Sequence, residues 1–364
     1  MAATPPTTPT EPPSPWAAAD AVWSAGERSL ELVRAVLTAR DAPVGVTPKE
    51  VIWRKNKAIL YRYTRTTAPT RRTPVFLVLP LINRAFILDL RPGGSFVESL
   101  LGRGFDVFLL DWGIPGEEDR ALNIDTLITR YMPRALRKAE QAAGRDEPMT
   151  MLGYCIGGVL AACFTALYPH RVKNLALFTT PIDFSNAGAF GDWTGKDVFP
   201  IDQLTDIFPT IPGSLPDIGS KMLNPLPSTL GTYVRLWERL GDPSFDVRGW
   251  QAMYRWVNEA VPFPSAAYRQ WIKEFYQENK LVKGTLRLDD RPVRLASITC
   301  PVLNVAATAD TIAPRATTSV VTSLVSSQDT EDIILKGGHV GIVIGRAAKA
   351  DLWPRVADWL DTHD

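Results

Sequence analysis

Cys155 stands between two glycines, each two residues away, in Met149-Thr150-Met151-Leu152-Gly153-Tyr154-Cys155-Ile156-Gly157-Gly158. A short apolar run leads in, and Val159 to Tyr168 continues with helical composition. The spacing is G-x-S-x-G with cysteine in the serine position, the signature of a nucleophile carried on a tight strand-to-helix turn. Such a turn strains the backbone at the nucleophile and leaves no room for side chains two positions before or after it, hence Gly153 and Gly157. It also puts Cys155 at a helix N-terminus, where unpaired N–H groups favour a thiolate and a developing oxyanion. A buried structural cysteine is the plainer alternative. Two glycines in register, a strand before and a helix after weigh against it.

A thiol nucleophile needs a base, and the chain has three histidines, His170, His339 and His363. His363 is next to the last residue, and His170 follows the helix after the turn, on the far side of any sheet from Cys155. His339 lies in Lys336-Gly337-Gly338-His339-Val340-Gly341, a glycine-rich loop after the last strand, and is the candidate base. The acid belongs after a strand between them. Asp310, in Thr308-Ala309-Asp310-Thr311-Ile312-Ala313-Pro314, is the first candidate and Asp183 its rival. Its work is to fix the histidine tautomer and stabilise the imidazolium. The oxyanion needs the backbone N–H of Ile156 and a second N–H from the loop Pro80-Leu81-Ile82-Asn83-Arg84.

The elements that position these groups alternate. Val51–Arg54 and Ala58–Tyr63, either side of Lys55-Asn56-Lys57, read as a hairpin. Strands follow at Val75–Leu79, Phe105–Asp111, at the run into Cys155 and at Asn174–Thr179, with helices at Ser95–Arg103 and Ile124–Ala142. Continuously apolar strands alternating with helices indicate a mostly parallel sheet covered on both faces, and with the chain order nucleophile, acid, histidine they indicate an α/β-hydrolase fold. The rhythm breaks after Pro181. Residues 183–283 hold five of the eleven tryptophans and helical patterns, and read as an inserted cap subdomain. It resumes with strands at Val302–Ala306 and Ile333–Leu335 and a closing helix, so 46–182 and 284–364 form the core. Ahead of it, residues 1–15 hold six prolines and are expected to be disordered. Residues 16–45 read as an N-terminal helix, Trp16 to Arg40, whose Val22, Leu30, Val33 and Leu37 are expected to pack on the protein's own core.

Composition narrows the class. At 45% hydrophobic and a net charge of +1, the 364 residues make a globular chain without the clustered basic face of a nucleic-acid binder. Three cysteines, Cys155, Cys163 and Cys300, form no even disulfide framework and favour a reduced, cytoplasmic setting. Nothing in the sequence reads as a signal peptide or a membrane-spanning run, so a soluble, not transmembrane, intracellular protein is expected. The chemistry calls for no metal and no cofactor.

The stretch Gly153-Tyr154-Cys155-Ile156-Gly157-Gly158 resembles the cysteine lipase box of the polyhydroxyalkanoate synthases. Also similar to that family, its short class III and class IV type in particular, are Leu81-Ile82-Asn83-Arg84 with Ile87-Leu88-Asp89-Leu90, the run Asp111 to Arg120, the run Tyr268 to Gln277, and Gly337 to Gly341. The resemblance covers residue 50 onward. It implies a triad of Cys155, Asp310 and His339, with the N–H of Ile82 as second oxyanion donor. It further implies a small second synthase subunit, a homodimer through the cap, and association with polyester granules. The chain departs from the family at Ile156, where class III members usually carry Gln, at Thr311, where His is common, and in its Pro-rich start.

A cysteine suits this chemistry because a thiolate exchanges one thioester for another at little cost and keeps the acyl group activated for a hydroxyl nucleophile. The reading is therefore polymerisation of short-chain (R)-3-hydroxyacyl-CoA, such as 3-hydroxybutyryl-CoA, into polyester with release of CoA. CoA enters as part of the substrate and leaves as a product. A cysteine esterase or thioesterase with the same triad is the alternative. A weakly active granule-associated scaffold subunit is the third.

Overall fold

The computed structural model describes residues 17–65, 68–144, 147–223 and 230–364. The expectation of disorder for residues 1–15 lies outside them.

Eight strands form one sheet: β1 (Lys49–Lys55), β2 (Ala58–Tyr63), β3 (Val75–Val78), β4 (Val107–Asp111), β5 (Met149–Tyr154), β6 (Val172–Phe178), β7 (Val302–Ala307) and β8 (Thr330–Leu335), in the order β1-β2-β4-β3-β5-β6-β7-β8. The first two strands form a hairpin, and β2 meets β4 antiparallel; every later pairing is parallel. Every residue of β3, β5 and β7 is buried, as the unbroken apolar runs require of strands covered on both faces. Each fully buried Val, Leu or Phe among them contributes roughly 1.5–3 kcal/mol.

In chain order the helices that matter here are α1 (Ala17–Leu37), α2 (Phe96–Gly102), α3 (Met132–Ala143), α4 (Ile156–Leu167), α5 (Leu230–Arg239), α6 (Val247–Asn258) and α7 (Trp353–Thr362). α2 begins where Ser95 accepts the N–H of Glu98, a side-chain cap. The single helix expected over Ile124–Ala142 contains a π-helical stretch at Leu127–Tyr131. Residues between β6 and β7 are mainly helical, with two additions the sequence pattern did not carry: the two-residue strand pairs Thr210–Ile211 against Phe263–Pro264 and Arg287–Leu288 against Arg291–Pro292.

The N-terminal helix corrects the sequence expectation. Leu30 is 74% exposed and Leu37 72%, and Trp23 and Val33 are exposed beside them. Leu30, Val33 and Leu37 face outward, whereas Ala35 is buried and Leu32 and Val36 are half-buried on the other side; the Val22 side chain lies outside the described residues. The opposite side of α1 is held to the insertion by polar and aromatic contacts. The Arg28 guanidinium lies 4.4 Å from the Trp237 ring centre, Trp237 Nε1 donates to Ser29 Oγ at 3.2 Å, and Gln251 Nε2 donates to Ala35 O at 3.1 Å. Periodicity identified the helix, but the positions chosen lie on its outward side; the packed side carries Leu32, Ala35 and Val36, which share it with the polar Arg28 and Ser29.

Candidate active site

All four candidate segments leave the carboxyl ends of parallel strands: the loop 79–84 after β3, Cys155 after β5, Asp310 after β7 and His339 after β8. That edge is where open α/β sheets build their sites.

Cys155 is the residue between β5 and α4, with φ 54° and ψ −125°, a conformation few non-glycine residues adopt. Its N–H donates to Phe178 O at 2.9 Å, which ties the turn to β6. The flanking glycines are there for want of space. A Cβ on Gly157 would lie 2.7 Å from the carbonyl carbons of Val78 and Leu79, and one on Gly153 would lie 2.8 Å from Gly158 N. The N–H groups of Gly158 and Val159 donate to Cys155 O at 2.9 and 3.3 Å, which leaves those of Ile156 and Gly157, at the very start of α4, without an intrahelical acceptor.

Asp310 divides its carboxylate. Oδ1 accepts the N–H of Ile312 at 2.9 Å and of Ala313 at 2.8 Å, which closes the loop on itself. Oδ2 accepts His339 Nδ1–H at 2.7 Å, and both residues are buried. The Asp310 and His339 loops are also joined through their backbones, Thr308 N–H to Leu335 O and Ala309 N–H to Gly337 O, each 2.9 Å. With Nδ1 on the carboxylate, Nε2 is left for the thiol. Burial pulls the imidazole pKa down, but the charge of Cys155, then the charge and hydrogen bond of Asp310, outweigh it and raise it to about 10. The Tyr154 ring lies 5.5 Å from the His339 ring and packs it in place.

The other candidates are occupied elsewhere. Asp183 Oδ1 accepts Ser185 N–H at 3.0 Å and Asn279 Nδ2–H at 2.7 Å, closing a turn at the start of the insertion. His363 faces Asp329 at 2.9 Å near the chain end, and His170 sits in the short turn Pro169–Arg171.

Cys155 and His339 open into a cavity of about 470 Å³, which Ile82 and Ile156 also line. Its far wall comes from the insertion: Trp256, Phe263, Tyr268, Trp271, Ile272 and Tyr276. The last three lie on or beside a π-helical stretch, Trp271–Gln277. Its wider turn brings Trp271 and Tyr276, five residues apart, onto the cavity side, a combination a 3.6-residue period would separate. Burial pushes the Tyr268 hydroxyl up to about 12 and raises that of Tyr276 too, so both stay neutral donors. Among the described residues, no group of three or more His, Cys, Asp or Glu side chains is arranged to hold a metal ion, and no helix is long and apolar enough to cross a membrane.

Sequence pattern alone missed what holds the loop 79–84. Trp112 Nε1 donates to Leu79 O at 3.0 Å, Val261 N–H to Ile82 O at 2.9 Å, and Trp256 Nε1 to Arg84 O at 2.8 Å. Buried indoles are the available signal, since each needs an acceptor, but nothing local says which carbonyl it will find.

Fold and site together define an α/β hydrolase with cysteine at the elbow. Residues 89–345 match the family model of the alpha/beta hydrolase fold, and residues 36–100 match that of the poly-beta-hydroxybutyrate polymerase (PhaC) N-terminus. The solved structure of epoxide hydrolase A from Mycobacterium thermoresistibile superposes with a TM-score of 0.50 at 17% identity, over 86% of this chain and 98% of that one, a likeness of fold. The poly(3-hydroxyalkanoate) polymerase subunit PhaC of Allochromatium vinosum is 33% identical over 90% of this chain and 92% of its own length. That of Haloferax mediterranei is 34% identical over 88% of this chain, which spans 65% of that longer protein. The chain belongs to the poly(3-hydroxyalkanoate) polymerase family, as the lipase-box resemblance implied.

Proposed function

We propose that this chain polymerises short-chain (R)-3-hydroxyacyl-CoA into polyester, with Cys155 carrying the acyl group. The observation that carries the reading is a cysteine, in place of serine, on the strained elbow beside a buried His339–Asp310 pair, in a chain of this family. The Cys155 thiolate attacks the thioester carbonyl, the new C–S bond forms, and the CoA thiolate leaves with the proton from the His339 imidazolium. The 3-hydroxyl of a second acyl unit then attacks the Cys155 thioester. His339 takes the hydroxyl proton, an oxoester forms, and Sγ departs as thiolate. Asp310 holds the imidazole with Nδ1–H toward it, and the N–H groups of Ile156 and Ile82 stabilise each tetrahedral oxyanion.

Exclusion of water separates a polymerase from a hydrolase, and the aromatic wall of the insertion supports that role. No cofactor enters these steps. We assign the outward apolar face of α1, with Trp23, Leu30 and Leu37, to docking of a small second synthase subunit, and the insertion to a homodimer contact. A cytoplasmic location at polyester granules follows from this product. The test is CoA release from 3-hydroxybutyryl-CoA with the product analysed. Polymer supports the reading, whereas free 3-hydroxybutyrate in step with CoA would make the protein a thioesterase.

A further inference from the structure

The segment 256–261, at the end of α6 and just beyond it, grips the loop that carries Ile82. The Trp256 indole N–H donates to Arg84 O, the Val261 N–H donates to Ile82 O, and Glu259 lies 3.7 Å from the Arg84 guanidinium. The first two bonds, side by side at 2.8 and 2.9 Å, hold the carbonyls just C-terminal to the Ile82 N–H, and they come from the insertion rather than the sheet. The core contributes its own anchor at the other end of the loop, where Trp112 Nε1 meets Leu79 O at 3.0 Å. The Ile82 carbonyl, in the peptide that follows its N–H, is bound to Val261, and the N–H has no backbone acceptor among the described residues, so the chain is fixed by the insertion just after that N–H and by Trp112 before it. Trp256 is 5% exposed and lines the same cavity.

We infer that the insertion sets the oxyanion hole. Trp256 is a positioning residue that acts through Arg84 O, so stabilisation of the tetrahedral intermediate depends on segment 256–261 being docked on the loop 79–84. The inference rests on the proposed role of Ile82. An oxyanion donor contributes through its fixed position, and loss of one donor typically costs a hundredfold to a thousandfold in kcat. Slackening one of two tethers is expected to cost less, about tenfold.

Trp256→Phe removes the indole N–H and keeps an aromatic body in the wall. Two reactions of the same thiol separate positioning from general damage. Cleavage of 3-hydroxybutyryl-CoA passes through an oxyanion, whereas alkylation of Cys155 by iodoacetamide is displacement at a saturated carbon and needs none. The expected result is kcat for thioester cleavage down about tenfold, with KM and the alkylation rate constant within twofold of wild type. Unchanged kcat would overturn the inference, as would a parallel fall in cleavage and alkylation. Cleavage of p-nitrophenyl acetate, measured alongside, gives the same comparison without CoA or polymer. A wild-type chain that cleaves this ester but makes no polymer would overturn the polymerase reading and leave the Trp256 comparison intact.

Discussion

His339 and Asp310 form a closed unit: Nδ1–H donates to Oδ2 at 2.7 Å while the other carboxylate oxygen is held by two backbone N–H groups of its own loop. The carboxylate cannot swing away without breaking both, so the imidazole is fixed in tautomer and direction.

Protonation of His339 tests that unit. Its pKa is raised to about 10 against burial, with the Cys155 charge the larger raising influence and Asp310 next. The imidazolium therefore persists from pH 6.5 upward and is lost as pH rises through about 10, and any stability it contributes is lost in the same window. Cys155→Ala and Asp310→Asn are each expected to lower the His339 midpoint seen by NMR titration. A midpoint unmoved in both variants would show that neither group faces the ring. In turnover, Asp310→Asn should cost at least about a hundredfold, against less than about threefold for Asp183→Asn, whose carboxylate is spent on Ser185 and Asn279.

Thiol labelling should be selective. Burial pushes the Cys300 thiol up to about 11 and that of Cys163 higher still, so both stay protonated and unreactive near neutrality. Brief iodoacetamide treatment at pH 8 is expected to give one adduct by intact-mass measurement, on the Cys155 peptide. Labelling of Cys300 at a comparable rate would contradict it.

The elbow leaves no slack at Gly157. Alanine there meets backbone of β3 rather than a movable side chain, so Gly157→Ala should destabilise by about 3 kcal/mol, read as a lowered urea midpoint. A midpoint equal to wild type would show that the turn can open.

The outward face of α1 makes the opposite prediction. Leu30→Ser should change stability by less than about 0.5 kcal/mol, because the side chain is 74% exposed. A loss of about 2–5 kcal/mol, the cost of emptying a core leucine position, would put that face back inside the protein.

What was legible in the sequence follows from how local each determinant is. The elbow was readable because Gly153, Cys155 and Gly157 carry its whole geometry within five residues, and β3, β5 and β7 were readable because both of their faces are buried. Asp310 was placed by its position at a strand end, but the choice over Asp183 needed Ser185 and Asn279, the latter 96 residues away in the chain. The packed side of α1 has a local signal, Leu32, Ala35 and Val36, weaker than that of the outward leucines; the π-helical turn at Trp271–Gln277 and the indole bonds to Leu79 and Arg84 have none.

The central claim is that the growing chain is held on Cys155. Intact-mass and peptide mass spectrometry of the protein, quenched in acid during turnover of 3-hydroxybutyryl-CoA, tests it directly. The expected spectrum shows a ladder of 3-hydroxybutyryl units on the Cys155 peptide, absent in Cys155→Ala. Polymer accumulating with Cys155 unmodified, or a ladder that survives Cys155→Ala, would contradict it.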